Sequence, residues 1–225
     1  MTPETAITLS TGESAYGRLR ADIVFGRLAP GQRLRLEGLR AAYGVGIGTL
    51  REILSRLTAE GLVVAEGQRG FEVPPVSAGE LRELAALRLL LEAHAMAESF
   101  AAGDVEWEGR VVAAHHKLEV VEARMIAGRR DEAPAWKRYD GEFHQALISG
   151  CGSRTLMRAH AGVFDRYLRY LMIAGCFRGE AAAEEHRRLR DLALARDAAA
   201  AAAVLESHIG DCVAQVSATL GGAME

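Results

Sequence analysis

The chain has 225 residues, is 49% hydrophobic and 25% charged, and carries a formal net charge of −3 at pH 7. That length accommodates two modest domains, and the ordinary balance of apolar and charged residues excludes a disordered, fibrous or collagen-like chain. No apolar run approaches the roughly 20 residues of a membrane span, and the opening MTPETAITLS has no cationic segment followed by an apolar one. The three cysteines, Cys151, Cys176 and Cys212, have no C-x-x-C spacing, so the expectation is a cytoplasmic protein with small, buried, reduced thiols and no membrane partner.

Residues 14–26, SAYGRLRADIVFG, read as a helix capped by Ser14, with Tyr16, Leu19, Ile23 and Phe25 as its apolar stripe. Pro30-Gly31 marks a turn. Residues 36–43, LEGLRAAY, form a short helix, GVGIG breaks it, and TLREILSRLTAEG follows as a helix that buries Leu50, Ile53, Leu54 and Leu57 and stops at Gly61. LVVAE and GFEVP, joined by GQR, read as a hairpin. Helix, helix, tight turn, helix and two-stranded wing is the order of a winged helix-turn-helix.

PPVS at 74–77 reads as a linker, which divides the chain into a domain at 1–76 and a second at 77–225. Ser77-Ala-Gly-Glu80 is a capping box that opens a long helix. Further helices are expected at about 104–128, 131–149, 153–175, 180–195 and 197–220, with Asp104, Ser153 and Asp197 as caps. The alanine run 198–203 is a strong helix former. The fold class is therefore mainly α: an N-terminal winged helix-turn-helix followed by an all-α helical bundle.

Charge is divided unevenly. Residues 1–76 hold nine Arg, no Lys and eight acidic residues, a net +1, and the remainder is −4. Arginine is the better fork for phosphates and guanine edges, and phosphate binding depends on a local patch rather than on global charge. In the second half, YDGEFHQAL places Asp140 and His144 four residues apart, on one helix face. That spacing suits a metal, but taken alone it favours a plain hydrogen-bonded pair.

Taken together, these pieces resemble a known family. Y16-G-R-L-R-A-D-I, G26-R-L-A-P-G, Y43-G-V, L50-R-E-I-L-S-R-L, E60-G-L-V and R69-G-F-E-V resemble the DNA-binding domain of GntR-family transcription regulators. R88-L-L-L-E92, D140-G-E-F-H144, E185-H186 and the closing A-R-D-A-A-A-A-A-A-V-L-E-S-H208 resemble the all-helical FCD effector domain of the FadR branch. The resemblance implies a metal site of one aspartate and three histidines, which here are Asp140, His144, His186 and His208. One oxygen and three imidazoles suit a divalent ion such as zinc or nickel; the alternative is a buried polar set that bonds to itself. The resemblance also implies that Arg88 pairs with a small carboxylate effector through two parallel hydrogen bonds. The alternative for Arg88 is a surface ion pair with Glu92. His94, His115, His116 and His160 match no motif and are expected to be solvated or satisfied in the core.

The DNA-reading turn departs from the family. Where relatives commonly carry V-S-R-T-P-V-R-E-A-L, this chain has V45-G-I-G-T-L-R-E-I-L54. Gly46 replaces a capping serine, and Ile47 replaces an arginine that can read guanine; an isoleucine can meet only a thymine methyl. Arg51 is the expected base or phosphate contact, with Thr49, Arg35 and Arg40 toward phosphate, and Arg69 with Gly70 in a wing that can enter the minor groove. The leading expectation is a homodimeric, ligand-responsive regulator, acting as a repressor on double-stranded operator DNA. The alternatives are a hydrolase-like enzyme that activates water at the Asp/His centre, and a sensor whose DNA-reading head has degenerated.

Overall fold

The computed structural model describes residues 10–67 and 70–221. The chain divides into two compact units, residues 1–76 and 77–225. Unit 1 contains α1 (Thr11–Val24), β1 (Arg33–Leu34), α2 (Leu36–Tyr43), α3 (Ile47–Ala59), β2 (Val64–Ala65) and β3 (Phe71–Glu72). Unit 2 contains α4 (Ala78–Ala102), α5 (Val105–Ile126), α6 (Ala133–Ile148), α7 (Arg154–Ile173), α8 (Glu180–Leu194) and α9 (Ala198–Gly221), with a one-turn 3-10 helix at Arg130–Glu132.

In unit 1, α1 begins three residues earlier than the apolar stripe suggests. Ser10, not Ser14, is the cap, and its hydroxyl accepts from the Glu13 amide at 3.2 Å. The apolar faces of the three helices meet around Leu19, Ile23, Leu50, Leu54 and Leu57, all buried. The wing has three strands rather than two. β3 pairs antiparallel with β2 and with β1, Leu34 lying opposite Phe71. Two residues are too few for a period-2 pattern, so β1 leaves no signal in the sequence.

Unit 2 is a helical bundle. Its first helix pairs with α9, α7 and α6; α5 packs on α6 and α8; α8 packs on α9. Ser77 caps α4 by accepting from the Glu80 amide at 3.4 Å. The second half of the capping box is bridged instead of direct: the Ser77 amide donates to the Tyr170 hydroxyl, which donates to Glu80 at 2.6 Å. This ties the start of α4 to α7. Asp104, Ser153 and Asp197 cap α5, α7 and α9. The expected helix over 131–149 is broken at its start, because Pro134 has no N–H to donate and confines regular helix to Ala133 onward.

The α4–α5 turn is locked onto the end of α6 by Trp107, which is fully buried and donates from Nε1 to the Ala146 carbonyl at 3.0 Å. Gly103 lies so close that a Cβ there would stand 2.4 Å from the Trp107 ring and 2.7 Å from the Ser99 carbonyl. These contacts fix α6, which carries two of the residues at the centre of the bundle.

Candidate metal centre and DNA-reading surface

Asp140 and His144 point inward from α6, His186 from α8 and His208 from α9. All four are buried, and one donor atom from each lies within 4.8 Å of all the others. Asp140 Oδ1 is 3.3 Å from His186 Nε2 and 3.9 Å from His144 Nε2. Ligands about 2.1 Å from a common ion lie roughly 3–4 Å from one another, and the two Asp140 separations fall in that range.

The outer atoms of the rings are committed elsewhere. His186 Nδ1 donates to Glu122 Oε1 at 2.7 Å, His208 Nδ1 donates to Glu185 Oε2 at 2.7 Å, and His144 Nδ1 is held by Glu92. A carboxylate can only accept, so the pairings of His144 and His186 put the proton on Nδ1 and leave the Nε2 lone pair facing the centre; at His208 the Glu185 contact at 2.7 Å favours the same tautomer over the Arg178 donor at 3.4 Å. The Nε2 atoms of His144 and His186 are buried with no hydrogen-bond partner. Buried polar atoms in a folded protein are nearly always satisfied, and a cation between them would satisfy both. Lys137 Nζ, also buried, approaches the other oxygen of Asp140 at 3.5 Å. The donor set fits a divalent ion in chemistry, spacing and tautomer.

Electrostatics match that fit. Burial would raise the Asp140 carboxyl, but Lys137 and the two neighbouring imidazoles hold it well below its ordinary range, so it is anionic. Burial pushes His144 and His208 below the usual imidazole value, which keeps them neutral as ligation requires. His186 goes the other way. Burial lowers it, yet Asp140 and Glu122 on either side raise it to about 9.

Arg88 lies on α4 and is 1% exposed, which rules out the surface-pair alternative. Its Nε donates to Glu92 at 2.9 Å, and its guanidinium stacks over the rings of Phe164 and Tyr167 at 4.6 and 4.8 Å. Its Nη2 is buried with no partner. Glu92 thus serves Arg88, His144 and, at 2.9 Å, His160 of α7. Each of the six bundle helices consequently places a side chain in the centre or in the layer that orients it. His160 is a core histidine, bonded to Glu92 and Gln145; His115 is buried, and His94 and His116 are exposed.

The orienting residues Glu122 and Lys137 drew no notice in the sequence, and Glu185 was noticed only as the neighbour of His186 in the E185-H186 piece. A carboxylate that pairs across the bundle sits 64 residues from its histidine, as Glu122 does from His186, and no local spacing reports it. Glu185 adjoins His186 in sequence but serves His208.

In unit 1, α2 ends at Gly44 in the left-handed conformation with φ of 69°, and α3 begins after Gly46, which offers no side-chain cap. Ile47 and Thr49 are half-buried on the first turn of α3, and Arg51 is exposed on the next. In a helix-turn-helix, the first residues of the second helix lie nearest the DNA. Arg35 is exposed at the N-cap of α2, and Arg40 is exposed beside Glu37 at 3.5 Å. Gly70 takes φ of 95° as the wing returns to β3. Arg69 lies outside the described residues.

The chain matches the family model of bacterial regulatory proteins, gntR family, over residues 11–73 and that of the FCD domain over residues 83–211. It is 41% identical over 206 residues to the HTH-type transcriptional regulator BphR of Paraburkholderia xenovorans, covering 91% of this chain and 84% of that one. It is 34% identical over 206 residues to the HTH-type transcriptional repressor GlaR of Escherichia coli, covering 88% and 92%. The solved structure of E. coli McbR/YncC superposes with a TM-score of 0.79 over 95% of this chain and 100% of that one, and at 20% identity it supports the fold alone. Family members are transcription regulators and not enzymes, which removes the hydrolase alternative. No helix among the described residues is long and apolar enough to cross a membrane. The chain belongs to the gntR family of bacterial regulatory proteins, in the branch with an FCD domain, and is a transcription regulator of the kind that binds operator DNA.

Proposed function

We propose that this regulator senses a small carboxylate at a metal-containing site in unit 2. The observation that carries the reading is the set of three imidazoles, each held at Nδ1 by a glutamate, that turn Nε2 toward Asp140. Asp140, His144, His186 and His208 hold a divalent ion, zinc or nickel by donor type. Four protein donors leave room for water or an effector carboxylate on an ion that accepts more than four ligands. The unpaired Nη2 of Arg88 supports a second contact to that anion, next to the rings of Phe164 and Tyr167.

Unit 2 also carries the contacts of a homodimer, which places two winged heads on a pseudo-palindromic operator in the cytoplasm. Arg51 contacts bases or phosphate, Thr49, Arg35 and Arg40 lie toward phosphate, and Gly70 with Arg69 belongs to a minor-groove wing. Repression, relieved by effector, is the sign we assign, in keeping with the repressor GlaR. The effector acts by binding one dimer geometry more tightly than the other.

The test is elemental mass spectrometry of untagged protein purified without added metal or chelator, beside His208→Ala. About one ion per chain, lost in the variant, is the expected result. A metal-free protein that also refuses added zinc would overturn the metal reading. The DNA reading is tested separately by a mobility shift on the region upstream of the gene, and no shift at low salt would sink it.

A further inference from the structure

The turn that enters α3 has a composition that the packing of unit 1 does not explain. Gly46 is the N-cap of the helix and Gly48 its second residue, one on each side of Ile47. Glycine inside a helix costs about 1 kcal/mol relative to alanine. A Cβ added at either glycine would have nothing within 4 Å, so no contact inside the protein excludes a side chain there. Gly46 has φ of −67°, which any residue adopts. What two bare backbone positions do permit is the close approach of another surface from outside.

The helix behind this turn is held firmly. Leu50, Ile53, Leu54 and Leu57 are buried. Thr49 turns its methyl toward α1, where a Cβ on Gly12 would lie 3.4 Å from Thr49 Cγ2. Ile47 is only half-buried, at the border between the buried stripe and the exposed face, one turn before Arg51. The polar side chains of the exposed face begin further along, at Arg51, Glu52 and Ser55. Arg56 is already engaged, by Glu13 at 3.2 Å and by the Tyr16 ring at 3.7 Å. Residues 46–48 thus present no side-chain donor or acceptor, and their single side chain is a branched hydrocarbon. The methyl group that base pairs display in the major groove is the one on C5 of thymine.

We propose that Ile47 is a specificity-determining residue that packs on the C5-methyl group of a thymine, so that the DNA this protein prefers carries an A·T pair opposite the first turn of α3. The inference rests on α3 entering the major groove, as the second helix of a helix-turn-helix does. Bare backbone at Gly46 and Gly48 lets the start of the helix come close to the base edges, which brings Ile47 to van der Waals distance of the methyl. A G·C pair has no methyl to offer, and isoleucine has no hydrogen bond to give its polar edge groups. Discrimination at this position therefore comes from burial of apolar surface and not from hydrogen bonding. Arg51, one turn further on, is a separate contact that reads phosphate or a different base.

The experiment uses the full-length protein to select duplexes from a randomised library at low salt. The best duplex is then resynthesised with each thymine replaced in turn by deoxyuridine, which deletes the C5-methyl and keeps every hydrogen-bonding group. Mobility shifts give Kd for the parent, Ile47→Ala and Arg51→Ala. The expected result is a thymine whose replacement weakens the parent by about threefold to fivefold, the effect of one buried methyl. Ile47→Ala should bind the thymine and uracil duplexes equally at that position. A parent that binds every uracil duplex as tightly as the thymine duplex overturns the proposal, and that comparison needs no variant to fold. A uracil penalty that persists undiminished in Ile47→Ala overturns it as well. If Arg51→Ala loses affinity while the uracil series is flat, α3 remains the reading helix and only the role of Ile47 falls. Selection that retains no duplex sinks the operator reading itself, and this proposal with it.

Discussion

At the scale of single residues, the centre depends on groups that never touch its donors' inner atoms. Glu122 holds His186 from outside, and a partner of this kind typically contributes 10–100-fold to metal affinity. We expect Glu122→Gln to weaken ion binding by about that factor in a competition titration with a chromophoric chelator, while circular dichroism stays unchanged. Equal affinity in variant and parent would mean the pair is structural only. His115 makes a separate prediction. It is buried against Phe143, and burial first, then the cations of Arg190 and His186, push its imidazole down to about 4. The unfolded value is near 6.5. Between these values the unfolded chain binds the extra proton, so the stability contributed by neutral His115 is complete above pH 6.5 and is lost as pH falls toward 4. His144 and His208 shift in the same direction. Calorimetry of the metal-free protein should therefore show its midpoint falling across that window, and His115→Gln should flatten part of the fall.

At the scale of elements, the recognition helix starts without a cap. Gly46 has φ of −67° and ψ of 159°, an ordinary extended conformation, and open space around its Cα. Serine fits there without strain, and its hydroxyl can accept from an amide of the first turn of α3. Gly46→Ser should stabilise unit 1 by a few tenths of a kcal/mol, about 1–2 °C in its unfolding midpoint. A lower midpoint would show that the glycine is needed for its backbone. Arg51 on the same helix is exposed. If it meets a phosphate, Arg51→Ala should weaken DNA binding across sequences and reduce the salt slope by about 1. If it meets a base, the loss concentrates at one operator position, which a panel of operator variants would reveal.

At the scale of the whole molecule, an ion held as proposed by residues of α6, α8 and α9 would act only on the folded state. Binding that is absent from the unfolded chain adds its full free energy to stability, about 2.7 kcal/mol at a hundredfold excess over Kd. Dialysis against a chelator should therefore lower the unfolding transition of unit 2 and leave that of unit 1 in place, and zinc should restore it. A single transition that ignores both treatments would argue that no ion contributes to this fold. The separation also tells the metal reading from a general effect of chelators.

Periodicity and caps were enough to place the helices of both units to within a few residues, because an amphipathic stripe and an N-cap are local properties. Ser77, Asp104, Ser153 and Asp197 lie where short-range rules put them. The resemblance drew Asp140, His144, His186 and His208 together, whereas the spacing of Asp140 and His144 alone favoured a plain hydrogen-bonded pair. Tertiary structure decided what sequence could not. It buried Arg88 and Glu92, which i,i+4 spacing allows on a surface as readily as in a core. It enlisted Glu122 across the bundle and Cys176 against the far end of α9. It added β1 to the wing. Each of these depends on which faces of distant segments meet, and that is fixed by the packing of the bundle and not by the order of neighbours along the chain.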